Sequence, residues 1–256
     1  MTTDLYSIVN LIIIFLFGIV IGSFLNVCIY RIPNKESIAK DRSHCMSCGY
    51  QLKWYDLVPL FSYLFLGGRC RSCKKKISAQ YPLIELLNGM LYVVVFLVNG
   101  QNVDSVLYCL LVSALIVLSV IDFRTYEIPF GINLFILTLG LVHLLLHLEN
   151  WLEYGIGLVA VSSFLQFLVW ITKGRGMGGG DVKLMAAAGL LLGFKFSVVA
   201  LVAGCILGSV IHLIRMKVSK QEHMLAFGPY LAGGIFLTIL WGQPFLNWYL
   251  GLFLSK

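Results

Sequence analysis

The chain has 256 residues, of which 59% are hydrophobic and only 12% charged, and its mean hydropathy is +0.89. Soluble domains carry about a quarter charged residues, so this composition excludes an ordinary soluble globular protein and reads as a polytopic membrane protein. The net charge of +7 does not imply nucleic acid, because the excess of Lys and Arg over acids within residues 31–76 accounts for all of it; a basic loop beside anionic lipid explains such a charge.

Eight apolar segments are expected to span the membrane: 6–30, 82–98, 104–121, 131–148, 152–171, 182–193, 196–214 and 226–250. The first is too long for the apolar core of a signal peptide, and Asp4 stands where a signal peptide would be basic. The sixth is short for a span, which needs about 17–25 residues, and is expected to begin inside the protein. With the N-terminus outside, every Lys and Arg of the 19 except Lys195 and Lys256 falls on the inner side, counting Lys183 with the loop before it. The basic-inside rule then places both Asp122 and Asp181 at cytoplasmic helix ends.

The first segment ends GSFLNVCIYRIP. Gly22 and Ser23 permit close helix approach, Asn26 needs an interhelical partner, and Pro33 ends the helix. The loop that follows carries Cys45-x-x-Cys48 and Cys70-x-x-Cys73. Two such pairs suit a tetrahedral, structural zinc, and four thiolates leave no open position for catalysis. A reducing cytoplasm disfavours disulfides there, and so small an insertion would rely on the metal for stability. Lys74–Lys76 reads as a solvated face that also meets lipid head groups. Cys28, Cys109 and Cys205 lie in apolar runs and are expected to be packing residues.

Glu85 opens the second segment one turn after Pro82. It is either an acid favoured by a helix N-terminus or a functional intramembrane carboxylate. The third segment closes on Asp122, followed by Arg124, Glu127 and Pro129. His143 and His147 lie four apart near the outer face and read as packing or interfacial residues, while Trp151, Trp241 and Trp248 suit an outer aromatic belt. The run Lys173–Gly189, KGRGMGGGDVKLMAAAG, carries Asp181 from a glycine hinge directly into an apolar helix. Gly178, Gly179 and Gly180 allow positive φ and close backbone approach. Gly178, Gly180 and Lys183 are the expected hinge and substrate wall, against which an extended peptide would pair. Gly204, Gly208, Gly233 and Gly234 prepare close packing of the last two segments.

Two carboxylates reaching one water from separate helices share a proton, so that one activates the water and the other protonates a carbonyl oxygen. The chain has no GxSxG, HExxH or Walker loop to compete with this reading. From the helix ends alone, Asp181 is expected to be the base and Asp122 the acid.

At these residues the chain resembles the bacterial prepilin peptidases, membrane aspartic proteases of the GxGD type. The resemblance runs from Gly22 to about Ala232. It is carried by GSFLNVCIYRIP, the two CxxC pairs, LVPLFSYLFLGGRCRSC at 57–73, QYPLIELL at 80–87, Asp122 with Ile128 and Pro129, GMGGGDVKL at 176–184 and FGPYLA at 227–232. It implies an all-α fold of about eight transmembrane helices with a small cytoplasmic zinc-binding insertion. Asp122 and Asp181 match the family's catalytic pair, which cuts a basic leader from prepilins or pseudopilins at the cytoplasmic face of the bacterial inner membrane. The implied partners are therefore pilin-like substrates, pilus or type II secretion machinery and membrane lipid, with no nucleic acid. Residues 1–103, with the cysteine loop at 31–81, would be the part that methylates the new N-terminus from S-adenosylmethionine, and residues 104–256 the peptidase. Gly68 and Glu85 fall at motif positions expected to serve methyl transfer. Phe130 departs from the family, which has a polar residue after Ile-Pro. The competing readings are a leader peptidase without methyl transfer, a transporter with intramembrane acids, and a non-catalytic assembly scaffold.

Overall fold

The computed structural model describes residues 2–40, 42–174, 177–219 and 226–254. Asp41, Arg175, Gly176, Lys220 and Lys256, which entered the charge and motif arguments above, lie outside them. The described residues are helical throughout apart from the cysteine loop and short connections. Eight long helices coincide with the eight apolar segments: α1 (Thr2–Arg31), α3 (Gln80–Asn99), α4 (Val103–Thr125), α5 (Phe130–Leu146), α6 (Trp151–Ile171), α7 (Gly179–Leu192), α8 (Phe194–Ser219) and α9 (Gly228–Leu254). A single short α-helix, α2 (Phe61–Phe65), lies in the loop. Among the described residues, five helices are long and apolar enough to cross a membrane, α1, α3, α4, α6 and α8. The shorter α5 and α7 and the Pro244-bearing α9 complete the set. This is a multi-pass membrane protein, with Trp151, Trp241 and Trp248 exposed on its surface.

The chain divides into two compact units, Met1–Ser105 and Val106–Lys256. In the first, α1 packs on α3 through glycines. A Cβ on Gly18 would lie 2.7 Å from Gly89 Cα, and one on Gly22 2.7 Å from Glu85 Cα. Nothing larger than hydrogen fits at this crossing, which is how helices associate where lipid removes the hydrophobic drive. Asn26 finds the interhelical partners its burial requires: its Nδ2 donates to Tyr81 O (3.2 Å), and Gln80 Nε2 donates to its Oδ1 (3.3 Å). Asn88 Nδ2 likewise donates to Gly18 O (2.7 Å).

The second unit is built around α7, which packs against α5, α6, α8 and α9. Ten of its fourteen residues are buried, so a helix too short to span is surrounded by protein rather than lipid. Gly157 and Gly189 bring the α6 and α7 backbones into direct contact, and Gly204 and Gly234 do the same for α8 and α9.

Candidate active site

The cysteine loop folds as two matching knuckles. Cys45 N–H donates to Tyr50 O and Gly49 N–H to Cys45 O; Cys70 N–H donates to Lys75 O and Lys74 N–H to Cys70 O. Each knuckle closes on a left-handed residue, Gly49 (φ 70) and Lys74 (φ 58), and is sealed by an antiparallel bridge, His44 with Gln51 and Arg69 with Lys76. The four sulfurs of Cys45, Cys48, Cys70 and Cys73 lie within 4.8 Å of one another, with Cys45 and Cys73 3.9 Å apart. Ligands about 2.3 Å from a tetrahedral zinc sit about 3.8 Å from each other, so the donor set and its spacing both suit that ion. The N–H of Ser47 holds the Cys45 thiol down at about 6, whereas Cys48 among the same sulfurs is pushed up to about 11, so the four thiols titrate as one group. The remaining cysteines sit apart: Cys28 and Cys109 are buried, and Cys205 is exposed on α8.

Beneath this loop lies a cavity of about 370 Å³, lined by Asn26, Tyr30, Tyr63, Tyr81 and Glu85 among others. Glu85 is 6% exposed, and its Oε2 accepts the N–H of Leu60 (2.8 Å) while Ser23 hydrogen-bonds the same carboxylate. Leu60 is left-handed (φ 61), a costly conformation for leucine that the Glu85 bond helps to hold. Gly68 is explained by Tyr63. At φ 64 it occupies a glycine conformation, and an added Cβ would stand 2.9 Å from the Tyr63 ring, so any side chain would push that ring into the cavity. Asp56, also on the cavity wall, is neutralised by Arg71 (2.7 Å). Buried Arg31 is spent on loop carbonyls, Ser37 O (3.0 Å) and Arg42 O (3.4 Å).

In the second unit, Asp122 (5% exposed) sits in the last turns of α4 and Asp181 (7% exposed) in the first turn of α7. Both acids are buried, and they come from separate helices of the same unit. Asp122 Oδ2 accepts the N–H of Gly228 at the start of α9 (3.0 Å), and a Cβ on Gly228 would fall 2.7 Å from that oxygen. Gly228 had a place in the FGPYLA motif, but no residue-level reasoning gave it a role. The signal was a glycine directly before a helix-starting proline, which leaves both room and a free N–H. This donor also weakens the split of roles drawn from helix ends, since it gives a negative oxygen on Asp122 a partner. The protons therefore belong to the pair.

The glycine hinge differs from expectation. Gly178 has φ −80, and none of Gly178, Gly179 and Gly180 is left-handed; Gly174, upstream, takes that conformation instead (φ 74). Gly180 serves by size, because a Cβ there would lie 3.0 Å from Ile128 Cβ, while α7 starts two residues before Asp181. Lys183 is exposed, with its ammonium 5.7 Å above the Phe130 ring. The aromatic that departs from the resemblance thus carries a cation–π contact at the edge of the site. His143 packs against the rings of Tyr108, His147 and Tyr154.

Residues 16–99 match the model of the bacterial peptidase A24 N-terminal domain, and residues 109–213 that of the type IV leader peptidase family. Over 93% of its length the chain is 34% identical to a prepilin leader peptidase/N-methyltransferase of Aeromonas salmonicida, of which the match covers 93%. It is 32% identical to the protein of that description in Bacillus subtilis, over 93% of this chain and 97% of the relative. The corresponding protein of Burkholderia pseudomallei is 32% identical over 89% and 84%. No solved structure matches the chain significantly. Two buried carboxylates at helix ends, a four-cysteine loop over a cavity and matches spanning both units lead to one assignment: the chain belongs to the type IV leader peptidase family.

Proposed function

We propose that the chain removes the basic leader from prepilins or pseudopilins at the cytoplasmic face of the inner membrane and methylates the new N-terminal amine. The observation that carries the first reaction is the pair of buried carboxylates Asp122 and Asp181, one in the last turns of α4 and one in the first turn of α7. Like charges so placed share one proton. The ionised member takes a proton from a water as its oxygen attacks the scissile carbonyl. The neutral member protonates that carbonyl oxygen; in the collapse the first acid passes the proton it took from water to the leaving nitrogen, the C–N bond breaks, and the second recovers its proton as the new carboxyl group forms. Gly228 N–H fixes Asp122 in place, and Lys183 marks the rim. Asp181 starts as base in the reading from helix ends, though the pair titrates together. The N-terminus lies outside, as the basic-inside rule requires.

Methyl transfer is assigned to residues 1–103 and peptide hydrolysis to residues 104–256. S-adenosylmethionine supplies an electrophilic methyl on a sulfonium. The cavity suits it in size, aromatic walls and its buried carboxylate. Glu85 receives the proton that the incoming ammonium must lose before its lone pair can attack, and Gly68 keeps the Tyr63 wall in position. Zinc held by Cys45, Cys48, Cys70 and Cys73 sets the shape of the loop above. The chain's own partners would be the pilin-like substrate, the pilus or type II secretion machinery that consumes it, and lipid.

The test combines purified protein, a prepilin and S-adenosylmethionine, with products read by mass. Leader loss together with one added methyl group is expected. Leader loss alone would leave only the peptidase, and an intact leader with ion flux into vesicles would favour a transporter.

A further inference from the structure

Asn133 is a buried polar residue of the second unit that the dyad mechanism leaves unused. It lies in the first turns of α5, four residues after Pro129, and is 4% exposed. Its Nδ2 donates to Gly180 O at 3.5 Å, the outer limit of a hydrogen bond, and Gly180 immediately precedes Asp181. Among the described residues its Oδ1 has no partner. An unmet buried acceptor is a cost that folded proteins carry chiefly where function uses it. The amide orientation is fixed by Gly180, because exchanging O and N would set two acceptors against each other. Both amide atoms leave one carbon, so the unmet acceptor, itself enclosed by protein, lies near the turn that delivers Asp181 and is reached by a peptide that parts α5 from the start of α7.

That turn offers the complementary group. The first turn of an α-helix has N–H groups without intrahelical acceptors, and in α7 the turn begins Gly179-Gly180-Asp181. A Cβ on Gly179 would meet nothing within 4 Å, so the wall is open on that side. An acceptor from Asn133 beside donors from the α7 N-terminus matches the alternating N–H and C=O of an extended peptide. We propose that Asn133 Oδ1 accepts a backbone N–H of the peptide being cut, fixing its register so that the scissile carbonyl faces the two carboxylates. Asn133 is thus a substrate-binding residue that reads backbone rather than side chain. The inference rests on Asp122 and Asp181 being the hydrolytic pair.

The test uses the full chain in detergent and a synthetic prepilin-type peptide, a basic leader followed by an apolar segment. Each backbone amide flanking the cut is replaced in turn by an ester, leaving the scissile bond an amide. One ester is expected to lower kcat/KM of the wild type about tenfold, the size of one neutral hydrogen bond. Asn133→Val and Asn133→Leu each lose about tenfold on the all-amide peptide and less than twofold more on that ester, because the bond is already gone. The two variants differ in volume, so failure of one to fold leaves the coupling measurable in the other. If no ester costs the wild type more than twofold, or if the variants remain fully sensitive to the same ester, the inference is overturned. Asp122→Asn and Asp181→Asn are assayed alongside on the all-amide peptide. Undiminished cleavage there contradicts the hydrolytic pair itself, whereas lost cleavage without ester coupling contradicts only the role of Asn133.

Discussion

The two units bury acids in opposite ways. Glu85 is held by a loop: its oxygen ties down the left-handed Leu60, and that loop is shaped by four sulfurs gathered within 4.8 Å. Asp122 and Asp181 are held by helices, with α7 enclosed by its neighbours and Gly228 set against Asp122. A site in a small loop depends on what staples the loop, whereas a site at helix ends depends on how closely the helices pack. The first should fail when ligands are removed, and the second when hydrogens are replaced by methyls.

Removing the staple should have the largest effect. Cys70→Ser, or chelation of the loop, should abolish metal binding and lower methyl transfer by well over ~100-fold more than it lowers cleavage. Metal content and both rates measured on one sample decide it, and equal losses would mean that the loop supports the whole molecule. Next in size is Gly228→Ala. The added Cβ must displace the Asp122 carboxylate, and a shift of that kind costs roughly 100-fold in kcat. The expected readout is a fall in kcat for leader cleavage with methylation of pre-cleaved substrate unchanged. Gly68→Ala should act on the other unit, lowering methyl transfer about tenfold by moving Tyr63 and straining a left-handed backbone. Its signature is a raised KM for S-adenosylmethionine. The smallest effect is structural. Gly22→Leu at the α1–α3 crossing should destabilise by about 1–3 kcal/mol, seen as a lower melting temperature of the solubilised protein.

Much of this was legible in the sequence, and unevenly so. The eight helices followed from apolar segment length, and the close approach at Gly22 and the partner of Asn26 from residue type alone. The four cysteines announced their cluster by spacing, a local signal that tertiary structure has little freedom to change. What stayed hidden depended on contacts far apart in the chain. Gly228 acquires its role from a carboxylate 106 residues earlier, and Gly157 from Gly189 on the next helix. Asn133 gains its interest from Gly180, 47 residues later, whose carbonyl takes its Nδ2 and leaves its Oδ1 unmet. The triple glycine misled in one respect: composition suggested conformational latitude, but the backbone there is ordinary and only the lack of a side chain matters.

The most direct test of the account pairs Asp181→Asn with Glu85→Gln, each assayed for both reactions. Asp181→Asn should reduce leader cleavage by roughly 100-fold or more, the scale of a lost acid–base group, while still methylating a substrate supplied without its leader. Glu85→Gln keeps an acceptor for the Leu60 N–H and should do the reverse, cutting normally and methylating poorly. If either substitution depresses both reactions equally, or leaves its assigned reaction intact, the division of chemistry between the two units is wrong.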